Sequence, residues 1–146
     1  MLPARISVVH TIELAVPVER VLGYLWKIDN LVKYEPKVNR LSVYPDGDSS
    51  GSYKASGYFA GLPWNGRFTY RLSKDGFHSE LVEGVIRVRG GFKTKKVDAE
   101  SCTLLHWEEY ELPGWSGWIA PVIRTYLSGA IRWELRNIRR GLASMS

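Results

Sequence analysis

The middle of the chain is a run of short strand-like segments cut by turn residues, and one long amphipathic segment follows it. That order is the strongest constraint on the fold. Val38 to Tyr44 leads into Pro45-Asp46-Gly47-Asp48-Ser49-Ser50-Gly51, Ser52 to Ala60 into Gly61-Leu62-Pro63, and Asn65 to Ser73 into Lys74-Asp75-Gly76. Phe77 to Val82, Arg89 to Val97 and Cys102 to Leu112 complete the run. Short, regularly spaced strands joined by Asp-Gly turns predict a meander of consecutive hairpins. No second set of strands is left to cover such a sheet, so another element must pack on it.

The C-terminal segment is suited to that task. Pro121 opens a helix predicted to reach about Gly141, roughly 30 Å at 1.5 Å per residue. Val122, Ile123, Tyr126, Leu127, Ala130, Ile131, Leu135, Ile138 and Leu142 form one apolar stripe along it. At the other end of the chain, Ile6, Val8, His10, Ile12 and Leu14 alternate with Ser7, Val9, Thr11 and Glu13, which marks a strand with one buried face. Pro17 then starts a helix carrying Val18, Val21, Leu22 and Leu25 at helical spacing, with Trp26 and Ile28 extending its apolar surface. A second short helix is expected from Asp29, as cap, to Tyr34, ended by Pro36. A single helix over a strongly curved sheet leaves part of the concave side unfilled, so a cavity is expected.

Composition sets the outer limits. The chain has 146 residues, 45% of them hydrophobic, enough for one domain with its own core. The single cysteine, Cys102, cannot form an internal disulfide, which fits a reducing compartment. No apolar run approaches the roughly 20 residues of a membrane span, and Glu13 and His10 interrupt the N-terminal apolar stretch where a secretory signal would need continuity. A cytoplasmic location is expected. Net charge is +5 overall, and +4 of it falls between Pro121 and Ser146, where Arg124, Arg132, Arg136, Arg139 and Arg140 face only Glu134. Such a helix reads first as a solvated outer face. It also permits weak contact with an anionic membrane surface. Nucleic-acid binding is not expected, because the basic residues lie on one helix without a recognition motif.

The order of segments, with Ala15-Val16-Pro17-Val18-Glu19-Arg20-Val21-Leu22, Asp29-Asn30-Leu31 and Tyr34-Glu35-Pro36-Lys37-Val38, resembles the START-like helix-grip (SRPBCC) superfamily over nearly the whole chain. Within it, the closest likeness is to bacterial polyketide cyclase/dehydrase-type proteins. Leu22 stands where that group usually has tryptophan, and Tyr34 matches its later aromatic. The resemblance implies an α+β helix-grip fold: an antiparallel sheet of about six to seven strands wrapped around the C-terminal helix, with two short helices after the first strand. It also implies an apolar cavity beneath the long helix and a hydrophobic ligand such as a lipid, quinone or polyketide-like aromatic. Fold alone does not name a reaction.

Several residues are candidates for the site. Tyr53, Phe59, Phe68, Tyr70 and Tyr126 fall on faces expected to look inward, and Leu22, Tyr34 and Val122 complete the expected ligand wall. The polyketide cyclases imply a cavity arginine, which alignment places at Arg71, with Arg67 on the same strand face. Alternation opposes this: Phe68, Tyr70 and Leu72 make the apolar face, so Arg67, Thr69 and Arg71 should point to solvent. His10, on the inner parity of its strand, and His106, which shares its parity with Glu108, are acid–base candidates; His78 follows a turn and should be exposed. On the strand from Cys102 to Leu112, neither the face of Leu104, His106, Glu108 and Tyr110 nor that of Leu105, Trp107, Glu109 and Glu111 declares itself as inner.

No metal and no cofactor are expected. One cysteine and three scattered histidines offer no ligand cluster. The loop Asp46 to Gly51 has only a partial likeness to a calcium loop, with Gly57 where the closing glutamate belongs. There is no nucleophile elbow, phosphate-binding loop or dinucleotide fingerprint. The tryptophan-bearing segments Gly61 to Gly66 and Pro113 to Trp118 read as loops that either gate a cavity mouth, touch a membrane or pack on a sheet edge. Oligomeric state is not legible. Three functions follow in order: a binder of a hydrophobic small molecule, a polyketide cyclase/dehydratase-type enzyme, and a membrane-surface lipid-interaction protein.

Overall fold

The computed structural model describes residues 4–145. Residues 1–3 and 146, the ends of the expected domain, lie outside the described residues. Seven antiparallel strands form one sheet in the order β1-β7-β6-β5-β4-β3-β2. They are β1 Ala4–Leu14, β2 Arg40–Pro45, β3 Ser50–Phe59, β4 Leu62–Ser73, β5 Gly76–Leu81, β6 Arg87–Asp98 and β7 Ser101–Leu112. Between β1 and β2 run α1 (Val18–Trp26), a 3-10 turn (Ile28–Asn30) and α2 (Leu31–Tyr34), which carry the chain from one edge of the sheet to the other. A second 3-10 segment, Gly114–Ile119, leads into the 24-residue helix α3, Ala120–Ala143. This is the expected helix-grip arrangement.

Three local expectations need correction. The segment around Trp64 is strand rather than loop. Ala60 and Gly61, both at positive φ (51° and 85°), make a two-residue turn, so β4 begins at Leu62. Asp29 caps no helix. It lies inside the 3-10 turn, where the buried Asn30 side chain donates to the Tyr24 carbonyl at 2.9 Å. The segment after Pro113 coils into the 3-10 helix and leaves Trp115 and Trp118 exposed.

Helix α3 packs mainly on β1 and next on α2, with smaller contacts to β7 and α1. Leu127, Ile131 and Ile138 are fully buried at that contact, with Leu135 and Leu142 beside them. One helix reaches only one end of a seven-stranded sheet, and the side chains of β3, β4 and β5 face space that α3 does not fill. The stripe is also shorter than expected at its start. Val122, one turn into the helix, is 72% exposed, because burial begins only where α3 meets β1.

Replacing Ile131 by alanine removes side-chain volume from the helix–sheet contact, and the partly relaxed cavity left behind should cost about 2–5 kcal/mol. Urea unfolding should show a lower midpoint with unchanged slope. A loss below about 1 kcal/mol would mean that α3 does not bear the core in this way.

Candidate functional site

Strand β7 alternates half-buried and buried along its whole length, and its inner face is Cys102, Leu104, His106, Glu108, Tyr110 and Leu112. The face that the sequence leaves open is therefore the one carrying two ionisable side chains into the core. Opposite them, Glu134 on α3 has no exposed surface. Glu35 and Lys37, on either side of Pro36 where α2 runs out, are buried as well. Backbone packing fixes Lys37: its carbonyl accepts from Trp64 Nε1 at 3.0 Å and lies so close to Gly57 that any Cβ there would collide with it.

These five groups neutralise one another in pairs. Lys37 Nζ donates to Glu35 Oε1 at 2.9 Å and to Glu108 Oε2 at 3.3 Å. The Tyr110 hydroxyl donates to Glu108 Oε1 at 2.8 Å. His106 Nδ1 is 2.8 Å from the Gly91 carbonyl and donates to it, which leaves Nε2 facing Glu134 Oε2 at 2.8 Å and Glu108 Oε2 at 3.4 Å. Phe92 stacks on the imidazole at 4.0 Å between ring centres.

The charge states follow from burial set against these partners. Burial alone would lower the His106 pKa, but the negative charges of Glu134 and Glu108 outweigh it and raise the value to about 10. Burial would raise Glu108, yet the Lys37 charge and the His106 hydrogen bond bring it down to about 2. Burial likewise opposes the Lys37 charge, and the Glu108 and Glu35 carboxylates hold the ammonium well above its usual range. Glu35 goes the other way. Burial and the Glu134 charge push it well above the carboxylate range against the pull of Lys37.

This network forms the polar part of the wall of a cavity of about 340 Å³, a size suited to a small organic ligand. Most of the rest of the wall is apolar, with Tyr53, Ala55, Phe59, Trp64, Phe68, Phe77, Leu81, Val88, Phe92 and Ile123, and Asn65, Ser79 and Arg89 add polar groups to it. Of the residues expected from sequence to line a ligand site, Tyr53, Phe59 and Phe68 are on this wall. The others lie elsewhere. Tyr34 is fully buried against Phe92, Tyr70 is buried beside Tyr53, and Tyr126 packs behind Phe59 at 4.8 Å. Leu22 is buried away from the wall, and Val122 faces solvent.

The acid–base candidates separate in the same way. His106 is in the cavity wall. His10 is outside it, bonded through Nε2 to Ser128 Oγ at 2.8 Å, with its pKa lowered first by burial and then by Arg132. Arg71 pairs with His78 on the outer face of the sheet, and Arg67, Thr69, Arg71 and His78 are all exposed, as alternation requires. Glu35, Lys37 and Glu134 were not singled out by sequence reasoning. Glu134 was legible: it lies at i+3 from Ile131 and i+4 from Ala130, on the apolar stripe and not among the arginines.

The same cluster changes the reading of metal ligands. Glu35, His106, Glu108 and Glu134 bring one donor atom each within 4.8 Å of one another, so a convergent donor set does exist. Lys37, bonded to two of these carboxylates, already supplies the set with a cation.

Residues 5–143 match the family model described as polyketide cyclase / dehydrase and lipid transport. The chain belongs to that family. Solved structures share the fold of this chain at low sequence identity. TTHA0849 from Thermus thermophilus is 16% identical, with 96% of this chain and 99% of that one covered and a TM-score of 0.83. The ZhuI aromatase/cyclase from Streptomyces sp. R1128 is 13% identical over 97% and 93% of the two chains, at a TM-score of 0.76. A START superfamily protein from Mycobacterium smegmatis is 14% identical over 96% and 99%, at 0.72. No curated protein matches the chain in sequence.

The charge network makes stability pH-dependent in a definite direction. His106 has a folded pKa near 10 against an ordinary 6.5, so its contribution is complete below pH 6.5 and is lost as pH rises toward 10. Glu35 adds to this alkaline loss, because the unfolded chain ionises it above pH 4.5 and the folded chain resists. Glu108 acts at the acid end: its contribution is complete above pH 4.5 and is lost as pH falls toward 2. The urea midpoint should therefore fall steadily above pH 6.5, and His106→Asn should flatten that fall. An equal slope in wild type and variant would mean that His106 is not held protonated.

Proposed function

We propose that this protein is a single START-like domain, residues 1–146, that binds a hydrophobic small molecule non-covalently in the cavity between the sheet and α3. The observation that carries this reading is the cavity wall, mostly aromatic and aliphatic, with one buried patch of paired charges and Asn65, Ser79 and Arg89 as its other polar groups. Burial of apolar ligand surface would drive binding at about 25 cal/mol per Å² before the costs of association. A lipid, quinone or polyketide-like aromatic fits that chemistry. No helix among the described residues is long and apolar enough to cross a membrane.

Ala55 lies on β3 in the floor of the cavity and is nearly buried. Pyrene, a fluorescent hydrocarbon without polar atoms, should bind the wild-type protein saturably at one site. Ala55→Phe should weaken it at least about tenfold by filling the space, with the far-ultraviolet circular dichroism unchanged. Unchanged affinity in a folded variant would place pyrene elsewhere and remove the cavity from the account.

A second reading is favoured by one observation: His106 and Glu134 meet at 2.8 Å in the wall of a cavity large enough for substrate. An imidazolium beside a carboxylate can give and take a proton, and an enclosed apolar site can hold a flexible chain in a reactive fold. Cyclisation or dehydration of a polyketide-like carbonyl compound is the reaction class that this pair serves. Glu134→Gln should then slow turnover about 10²–10⁴-fold while pyrene affinity stays within about twofold. Equal loss of both would reduce the pair to a structural role.

A further inference from the structure

The polar patch of the cavity is not fully satisfied by the protein itself. Lys37 spends its ammonium on Glu35 and Glu108, Glu108 also accepts from Tyr110, and His106 Nδ1 is committed to Gly91. What remains is His106 Nε2 and both oxygens of Glu134, none of which has a partner in hydrogen-bonding geometry. Nε2 and Oε2 are close, at 2.8 Å, but they meet as charges and not along the N–H axis. The two side chains are only 5% and 1% exposed, so water outside the cavity does not reach them. A carboxylate has about four acceptor positions. A buried polar group left without a partner is costly, and Glu134 lines the cavity.

We propose that the cavity's occupant carries a neutral hydrogen-bond donor, a phenolic or alcoholic hydroxyl, at the end that reaches Glu134, and no ionised group there. This rests on the cavity-binding reading above and adds the chemical class of the ligand. An anionic head group is disfavoured because Glu35, Glu108 and Glu134 crowd the same few ångströms, and the ammonium among them is already bonded twice. A cationic head group is disfavoured because Lys37, His106 and Arg89 stand on that wall, and the Glu134 carboxyl already faces His106 at 2.8 Å, so desolvating a further ammonium there is costly. A hydroxyl avoids both penalties. It donates to Glu134 and leaves an apolar body for Phe59, Phe68, Trp64, Val88 and Ile123.

Three probes with one body separate these effects: 2-naphthol, 2-methoxynaphthalene and 2-naphthoate, each competing with pyrene at pH 7. A hydrogen bond to a buried charged acceptor should favour the naphthol over its methyl ether about tenfold or more. The naphthoate should bind at least about tenfold weaker than the naphthol. In Glu134→Leu the naphthol and its ether should come within about twofold of each other. Glu134→Gln keeps an acceptor without the charge, and should relax the exclusion of naphthoate. Naphthoate binding wild type as tightly as naphthol overturns the proposal, as does a naphthol preference that survives in both folded variants. If neither variant folds, the order of the three probes on wild type decides alone. Failure of pyrene itself to bind overturns the cavity reading instead, which sets the two failures apart.

Discussion

Seven strands and one long helix do not match in area. The apolar stripe of α3 is used up mainly against β1 and α2, and the inner faces of β3 and β4 look across a gap that α3 does not fill. Interiors normally close to near-crystalline packing, and an element that cannot reach leaves space instead. Here Leu31 of α2 and the segment from Glu35 to Val38 bound that space, and the aromatic rings of Tyr53, Phe59, Phe68, Phe77 and Phe92 narrow it without closing it. The cavity is thus a consequence of topology: one covering helix, placed at one end of an antiparallel sheet.

Five ionisable side chains at the edge of an apolar cavity are tolerated only because each is paired. Lys37 stands between Glu35 and Glu108, and His106 between Glu108 and Glu134. Such burial adds little net stability compared with apolar packing, and removal of one partner leaves a charge stranded. Its value lies in position. The groups come from four different parts of the chain, the end of α2, the segment after Pro36, β7 and α3, so the network forms only when the helix sits correctly on the sheet. Both proposed uses of the cavity, proton transfer and recognition of a donor, draw on the same pair, His106 and Glu134.

Much of this was legible beforehand. The alternation in β1 and β4, the Asp-Gly punctuation and the 3.6-residue stripe on α3 gave the strands, the covering helix and the outward direction of Arg67 and Arg71. Tyr53, Phe59 and Phe68 could be assigned inward by parity alone. The short-range signals failed where tertiary packing chose between equal local options. Trp64 looked like part of a glycine-rich loop, but the tight Ala60-Gly61 turn left it in strand. Val122 had stripe spacing, yet α3 begins before it meets the sheet, so the side chain stays in solvent.

The sequence by itself determined the order and type of elements, because periods of two and 3.6 are properties of the local backbone and can be read one segment at a time. It also determined that one helix had to cover the sheet. The tertiary structure alone decided which face of β7 turns inward, since that strand carries charged and apolar residues on both parities. It decided too that Glu35, Lys37, His106, Glu108 and Glu134 meet. Residues far apart in the chain share a charge network only once the chain has closed on itself, and no local pattern encodes that closure. Glu134 marks the boundary between the two: its spacing belonged to the buried stripe all along, but only its partners across the cavity explain why a carboxylate stands there.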